Sequence, residues 1–144
     1  MCIRDRLSIG GDDVIIGDNP SKENKAFKIA IQNPDLSSDD PYSSIINLRD
    51  TTVVTSGDYQ RYFKVDGKAY HHIIDPDTLY PSQYFKSISV IHEDIALADA
   101  LSTYLFIVDI QTGKKLVEEY GAEAFWIDKD LNEYKTDGYK KLED

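Results

Sequence analysis

The chain has 144 residues, 41% of them hydrophobic, and a formal net charge of −10 at pH 7. This length corresponds to one domain with a core of its own, and no apolar run approaches the length that crosses a bilayer. The strongly acidic balance argues against nucleic acid and against an anionic membrane surface as partners. The single cysteine, Cys2, excludes an internal disulfide framework and a cysteine-based zinc site, and it does not identify the compartment.

Residues 1–8 differ in character from the rest of the chain. They contain neither the apolar stretch of a signal peptide nor a lipoprotein-type leader before Cys2. We therefore predict an anomalous head of foreign or misassembled origin at residues 1–8, followed by the domain itself at residues 9–144.

The first half of the domain reads as strands. Four short segments are rich in Val and Ile or alternate apolar with polar residues, and clusters of Asp, Asn, Pro and Ser separate them. These predicted strands cover residues 13–17, 26–32, 44–48 and 52–55. We expect them to form an antiparallel meander.

The second half adds two hairpins, a strand and two helices. Residues 59–65 and 69–74 flank Asp66-Gly67, a dipeptide typical of tight hairpin turns, and residues 85–92 form another alternating strand. Helices are predicted at residues 94–108 and 114–120, and Gly121 ends the second helix. A last hairpin is predicted from residues 122–127 and 133–136.

An acid in the first predicted helix suggests a metal site. Asp99 and Thr103 stand four residues apart and project from one helix face. The rest of this helix is almost entirely apolar or small, so an acid there must face a partner or bear a large burial cost. A carboxylate and a hydroxyl one turn apart suit Mg²⁺, which is often held by only one or two protein groups. The alternatives are a solvated Asp99 and a Thr103 that bonds to its own helix turn.

Two other motifs remain ambiguous from the residues alone. His72 lies at the end of a predicted strand, where a histidine is either a structural group with its hydrogen bonds satisfied or a general base. His71 points to the opposite strand face and is expected to be structural or solvent-facing. Gly10-Gly11 forms either a simple turn or a place where the backbone approaches a ligand closely.

Four motifs together resemble the C-terminal half of the ApbE family, the FAD:protein FMN transferases. In chain order they are Gly10-Gly11-Asp12 and residues 55–63, 72–76 and 99–103. The resemblance implies an α+β fold in which an antiparallel sheet is backed by two helices. Because it begins in mid-family, we expect the other half of the flavin pocket to be absent from this sequence. We also expect an exposed apolar or edge-strand surface where that half docks.

The resemblance also implies an activity, which is Mg²⁺-dependent transfer of FMN from FAD to a threonine hydroxyl of an acceptor protein, with release of AMP. Asp99 and Thr103 would hold Mg²⁺ on the pyrophosphate, and His72 would accept the threonine proton. Ile73 would contact the flavin through its backbone, and Gly10-Gly11 would permit close approach nearby. By the same resemblance the full-length protein is expected outside the cytoplasm, in the periplasm or as a membrane-anchored lipoprotein.

Two other function classes fit the same residues. A Mg²⁺-dependent FAD pyrophosphatase would use the same metal pair, with water in place of the acceptor hydroxyl. A non-catalytic flavin-binding or interaction domain would bind FAD and leave it intact. Product analysis separates these classes.

The sequence departs from the family pattern at two positions. Leu79 stands where many relatives have glycine, and because leucine disfavours positive φ, we expect the turn to follow a different backbone path. Asp12 stands where Asn is more common, and either residue can form hydrogen bonds.

Overall fold

The structure is a computed structural model that describes residues 5–59 and 61–143. Its strands are β1 (Asp5–Ile9), β2 (Asp12–Ile16), β3 (Phe27–Gln32), β4 (Tyr42–Leu48), β5 (Thr51–Gly57), β6 (Tyr62–Val65), β7 (Lys68–His71), β8 (Phe85–His92), β9 (Glu123–Asp128) and β10 (Glu133–Lys135). Its helices are α1 (Ile95–Leu105), α2 (Ile110–Glu119) and α3 (Asp137–Lys140). None of the described helices is both long and apolar enough to cross a membrane.

Six strands form one antiparallel sheet in the order β1-β2-β5-β8-β9-β10, while β3 pairs with β4 and β6 pairs with β7 in two smaller sheets. The predicted meander of the first four strands is therefore wrong. β2 pairs with β5, and β3 and β4 form a separate two-stranded sheet that packs on the main one. The physical reason is burial, because β3 and β4 use their alternating isoleucines to cover one face of the main sheet.

The main sheet separates two hydrophobic cores. On one face, Val54, Ile88 and Trp126 pack beneath α1 and α2. On the other face, Val53 and Phe125 belong to the core that the β3–β4 hairpin and α3 complete. The predicted α+β class and the two backing helices are confirmed, and α3 is an additional helix too short to give a periodic pattern.

The helix boundaries follow their caps. The Asp94 carboxylate accepts hydrogen bonds from the backbone N–H groups of Ala96 and Leu97 at 2.8 and 3.3 Å, which starts α1. Asp109 caps α2 in the same way, so α2 begins four residues before its predicted start. Gly121 follows α2 with φ +65°, as predicted for a helix-ending glycine.

β1 was not predicted, although it pairs along its whole length with β2. It includes residues 5–8 of the predicted head, and the Arg6 guanidinium binds both carboxylate oxygens of Asp13 at 2.8 and 3.0 Å. Residues 1–4, Gln60 and Asp144 lie outside the described part of the chain, so the first half of the predicted head, with Cys2, stays untested.

Candidate functional site

Helix α1 carries both predicted metal ligands on its exposed side. Its buried side, which includes Ala98 and Ser102, packs on β5 and β8. The Ser102 hydroxyl lies 2.8 Å from the Ser56 hydroxyl of β5 and donates to the Asp99 carbonyl oxygen at 3.0 Å. Asp99 and Thr103 themselves are exposed. Asp99 therefore bears no large burial cost. Any role it has depends on what lies beside it.

The residue beside Asp99 is Asp12, which immediately follows the glycine pair. Burial raises the pKa of the Asp12 carboxyl above its ordinary value of 3.8, and a backbone hydrogen bond from Thr55 opposes that shift. The negative charges of Asp99 and Asp13 raise the pKa of Asp12 further. The carboxyl at the start of β2 and the carboxyl on the exposed side of α1 are therefore close enough for their charges to interact.

This donor set fits a hard cation. Two carboxylates and the Thr103 hydroxyl are oxygen ligands of the kind that Mg²⁺ prefers, and a cation would relieve the repulsion between Asp12 and Asp99. Within the described residues there is no group of three or more His, Cys, Asp and Glu placed to hold a metal. A cation held by Asp99 and Thr103 would therefore have few protein ligands and would complete its shell with water or phosphate.

Gly10 and Gly11 form the two-residue turn between β1 and β2, with Ile9 paired to Asp12. Their φ angles are +66° and +106°, a conformation that glycine adopts without strain. A Cβ added at Gly10 would meet no atom within 4 Å. Backbone conformation alone accounts for Gly10, and close approach of a cofactor to this turn stays a prediction.

An apolar groove of about 230 Å³ opens beside Asp12. Leu7, Ile9, Val14 and Ile95 line it together with Asp12. β1 is an edge strand with all five residues exposed, and Leu7 and Ile9 are 56% and 64% exposed. The sequence predicts an exposed apolar or edge-strand surface, and this groove on the edge strand lies next to Asp12.

The two adjacent histidines differ in environment. His71 is buried, its Nε2–H donates to the Ser82 carbonyl oxygen at 2.8 Å, and its Nδ1 accepts from the Ile73 backbone N–H at 3.3 Å. Burial lowers the pKa of His71, although its hydrogen bond to Ser82 opposes this shift. His71 is therefore a neutral structural histidine, which is one of its two predicted roles.

His72 is exposed, and its Nδ1 lies 3.2 Å from the Arg61 carbonyl oxygen. Because a carbonyl oxygen only accepts, Nδ1 carries the proton and Nε2 of the neutral ring keeps its lone pair. The His72 backbone N–H also donates to the Arg61 carbonyl, at 3.2 Å. The exposed ring is thus held through Nδ1, and no described residue bonds its Nε2, the nitrogen that a general base would use.

Ile73 is buried, and both of its backbone groups have partners within the chain. Its N–H donates to His71, and its carbonyl accepts from the Ser82 N–H at 3.1 Å. A flavin contact through this backbone would have to use the second lone pair of the Ile73 carbonyl. The predicted flavin contact of Ile73 stays a prediction.

The strand end that carries the histidines contacts the residue that follows α1. The His71 ring lies edge-on to Phe106, with centroids 5.7 Å apart. The Ser82 hydroxyl donates to the Phe106 carbonyl. That His72 and the predicted metal pair open toward one point stays a prediction.

The turn after the histidines contradicts one expectation. Leu79 has φ +59°, so it adopts the conformation that a glycine would adopt. Its N–H donates to the Asp75 carbonyl at 2.9 Å, and the Asp75 N–H donates to the Tyr80 carbonyl at 2.9 Å. These bonds close a tight turn whatever the residue at position 79, so the predicted change of backbone path is wrong.

A family comparison covers most of this architecture. The model of the ApbE family matches residues 6–126, a range that includes the glycine pair, both histidines, Ile73 and the metal pair. The chain belongs to the ApbE family.

Individual relatives agree with this membership. The chain is 33% identical to the FAD:protein FMN transferase of Haemophilus influenzae over 94% of its own length and 40% of that protein. It is 36% identical to the FAD:protein FMN transferase of Treponema pallidum over 70% of its length and 28% of that protein. An ApbE crystal structure from Thermotoga maritima superimposes with a TM-score of 0.87 at 35% identity, covering 97% of this chain and 45% of that one. The chain thus spans less than half the length of each of these relatives.

Sequence reasoning noted Asp12 only as a variant of the glycine motif. The available signal was its position directly after Gly11. A residue that starts a strand after a tight turn projects its side chain from one face of the sheet, toward the element that packs there. No sequence pattern predicts the contact between the Ser56 and Ser102 hydroxyls, which joins α1 to β5.

Proposed function

We propose that this ApbE-family protein transfers FMN from FAD to a threonine hydroxyl of an acceptor protein, releases AMP and depends on Mg²⁺. The observation that carries the proposal is the family match over residues 6–126, together with Asp99 and Thr103 one turn apart on the exposed side of α1. The electrostatic interaction of Asp99 with Asp12 of the glycine motif supports it. The name shared by the relatives supports FAD as substrate and a protein as acceptor.

Asp99 and Thr103 would hold Mg²⁺ through a carboxylate and a hydroxyl oxygen, and Asp12 would add negative charge close by. Bound there, Mg²⁺ supplies neutralisation of the pyrophosphate charge, which a chain of net charge −10 needs before it can accept an anionic substrate. The apolar groove beside Asp12 offers a surface for a ring of FAD next to these ligands.

His72 acts as the base in this proposal. Its Nε2 takes the proton of the threonine hydroxyl while the threonine oxygen forms a bond to the FMN phosphorus. The anhydride bond to the AMP phosphate breaks, and AMP leaves with the bond electrons. Arg61 keeps the ring in the reactive tautomer through its carbonyl oxygen.

The metal pair gives the decisive experiment. Asp99→Asn keeps the size of the side chain and removes the charge that attracts the cation, so Mg²⁺ affinity measured by titration calorimetry with FAD present should fall at least about 100-fold. Thr103→Val removes one neutral ligand, so its loss should be smaller and partly rescued by excess Mg²⁺. Both variants, expressed from the complete reading frame, should fold normally because positions 99 and 103 are exposed.

Glu119→Gln on the exposed side of α2 is the matched control, because it removes one acid from a helix outside the site. Unchanged Mg²⁺ affinity in Asp99→Asn would refute the metal assignment. Product analysis of the unmodified protein tests the activity itself. Protein-bound FMN with AMP supports transfer, whereas free FMN with AMP identifies a pyrophosphatase and intact FAD a binding domain.

The location outside the cytoplasm, in the periplasm or on a lipoprotein anchor, belongs to the same proposal. The family resemblance is its support. Fractionation of cells that express the complete reading frame tests it, and recovery in the cytoplasm alone would count against it.

A further inference from the structure

The β6–β7 hairpin, residues 61–71, has an exposed surface that is not part of the candidate site. All residues from Arg61 to Ala69 are exposed. On one face of the hairpin the rings of Phe63 and Tyr70 stack with centroids 5.5 Å apart, and Val65 and Lys68 continue that face. Phe63 is 63% exposed and Val65 is 49% exposed. A two-stranded hairpin with an apolar face open to water is marginal by itself, which indicates that another polypeptide surface covers it.

The charge of this hairpin is opposite to that of the chain. Arg61, Lys64 and Lys68 stand against the single acid Asp66, in a chain of net charge −10. The lysine ammonium groups lie over aromatic rings of the hairpin, Lys64 5.8 Å from the Tyr62 centroid and Lys68 5.4 Å from the Tyr70 centroid. Lys68 shares the face of Phe63 and Tyr70, whereas Lys64, which pairs with Ala69, projects from the opposite face. The hairpin as a whole therefore combines aromatic area with positive charge, which suits a partner that is acidic and apolar.

The hairpin is continuous with the proposed base. Arg61 is the first residue of the hairpin. Its carbonyl oxygen accepts hydrogen bonds from both the backbone N–H and the Nδ1–H of His72. A polypeptide bound along the hairpin would therefore extend toward His72. A second copy of this chain that docks hairpin to hairpin is a poorer occupant, because both hairpins carry positive charge.

We propose that the β6–β7 hairpin docks the acceptor protein, engaging an acidic segment with apolar side chains beside the target threonine. This inference rests on the proposed function and deepens it by giving the acceptor a binding surface and a charge. Phe63 and Tyr70 contact the apolar side chains of the segment, and Lys64 and Lys68 attract its acids.

The test uses two short fluorescein-labelled peptides with a central threonine and leucines, one flanked by aspartates and one by lysines. The unmodified protein, expressed from its complete reading frame, should bind the acidic peptide more tightly. Lys64→Glu/Lys68→Glu should weaken that binding about tenfold, because each reversal turns a weak attraction into repulsion. Lys115→Glu/Lys141→Glu is the matched control, because it makes the same charge change at exposed positions outside the hairpin.

Fluorescence anisotropy reads binding without turnover, so the result stands even if the unmodified protein transfers no FMN, an outcome that would refute the proposed function alone. Equal binding by the two double variants would overturn the docking inference. A hairpin variant that loses FAD affinity and keeps peptide affinity would instead assign the hairpin to FAD. A dimer on gel filtration that the hairpin variant abolishes would assign the hairpin to self-association and would likewise overturn it.

Discussion

His71 and His72 are neighbours in sequence, yet they carry their protons on opposite ring nitrogens. His71 uses Nε2–H and Nδ1 inside the chain, whereas His72 bonds through Nδ1–H and no described residue bonds its Nε2. The alternation of strand side chains separates them, since one ring points into the fold and the other points out. One histidine therefore supports structure, and the other is available for chemistry.

His72→Ala should reduce FMN transfer at neutral pH by at least about 100-fold and leave the melting temperature nearly unchanged. His71→Ala should lower the free energy of unfolding by roughly 2 to 4 kcal/mol, because it leaves the buried Ile73 N–H without its partner, removes one of the two donors to the Ser82 carbonyl and leaves a cavity beside Phe106. Thermal unfolding and product formation, measured on both variants, check this division. If His72→Ala unfolds as easily as His71→Ala, the loss of transfer reports damage to the strand.

Within the turn of residues 75–80, a leucine has the left-handed backbone conformation that glycine usually adopts. Leu79 has φ +59° and its side chain is 76% exposed, so packing does not offset the strain of its Cβ. Two hydrogen bonds hold the turn closed, one from the Leu79 N–H to the Asp75 carbonyl and one from the Asp75 N–H to the Tyr80 carbonyl. A β-bridge between Ile74 and Pro81 also closes it. The strain is therefore maintained by the backbone bonds around it.

Leu79→Gly should stabilise the protein by about 1 kcal/mol, because relief of the left-handed conformation exceeds the added entropy of the unfolded glycine. Leu36→Gly is the control, since Leu36 is also exposed but has no positive φ, and it should destabilise. Urea unfolding of the two variants gives the comparison. A destabilised Leu79→Gly variant would show that the leucine side chain contributes a contact of its own.

At the scale of the whole molecule, a polar cluster ties the C-terminal residues to the β3–β4 layer. The Glu143 carboxylate accepts from Lys135 at 2.8 Å and from the Ser44 hydroxyl at 2.7 Å. The buried Tyr139 hydroxyl donates to Ser44 at 3.1 Å, and burial raises the pKa of Tyr139, so the phenol stays neutral. The cluster links β4, β10 and α3 across one end of the sheet.

This cluster predicts a loss of stability in acid. Burial raises the pKa of Glu143, but the hydrogen bonds from Lys135 and Ser44 outweigh it and hold the pKa below its ordinary value of 4.5. A carboxyl with a lowered native pKa stabilises the fold above that ordinary value, and this contribution disappears as the pH falls through the native pKa. Glu143→Gln should therefore melt below the unmodified protein at neutral pH, and the difference should vanish in acid.

Melting curves across this pH range test the cluster, with Glu93→Gln at an exposed position as the control. The control should show little difference from the unmodified protein at any pH. A Glu143→Gln difference that persists unchanged in acid would mean that the charge of Glu143 contributes nothing to stability.

The sequence by itself determined the features that depend on local pattern. The Asp66-Gly67 turn was predicted from its dipeptide, and both residues have positive φ, +48° and +78°. The helix that carries Asp99 and Thr103 followed from its apolar periodicity, and the α+β class followed from the family resemblance. Such features are readable because turn chemistry and burial periodicity act between residues close in sequence.

Only the tertiary structure decided which distant segments meet. It paired β2 with β5 across the inserted β3–β4 hairpin, and it brought Asp12 within electrostatic range of Asp99. It also placed Gly113 inside α2, where a Cβ would lie 3.2 Å from the Leu105 side chain. Local propensity disfavours glycine within a helix, and close packing of α2 on its neighbours overrides that preference. These outcomes depend on contacts between segments far apart in the chain, which no local pattern encodes.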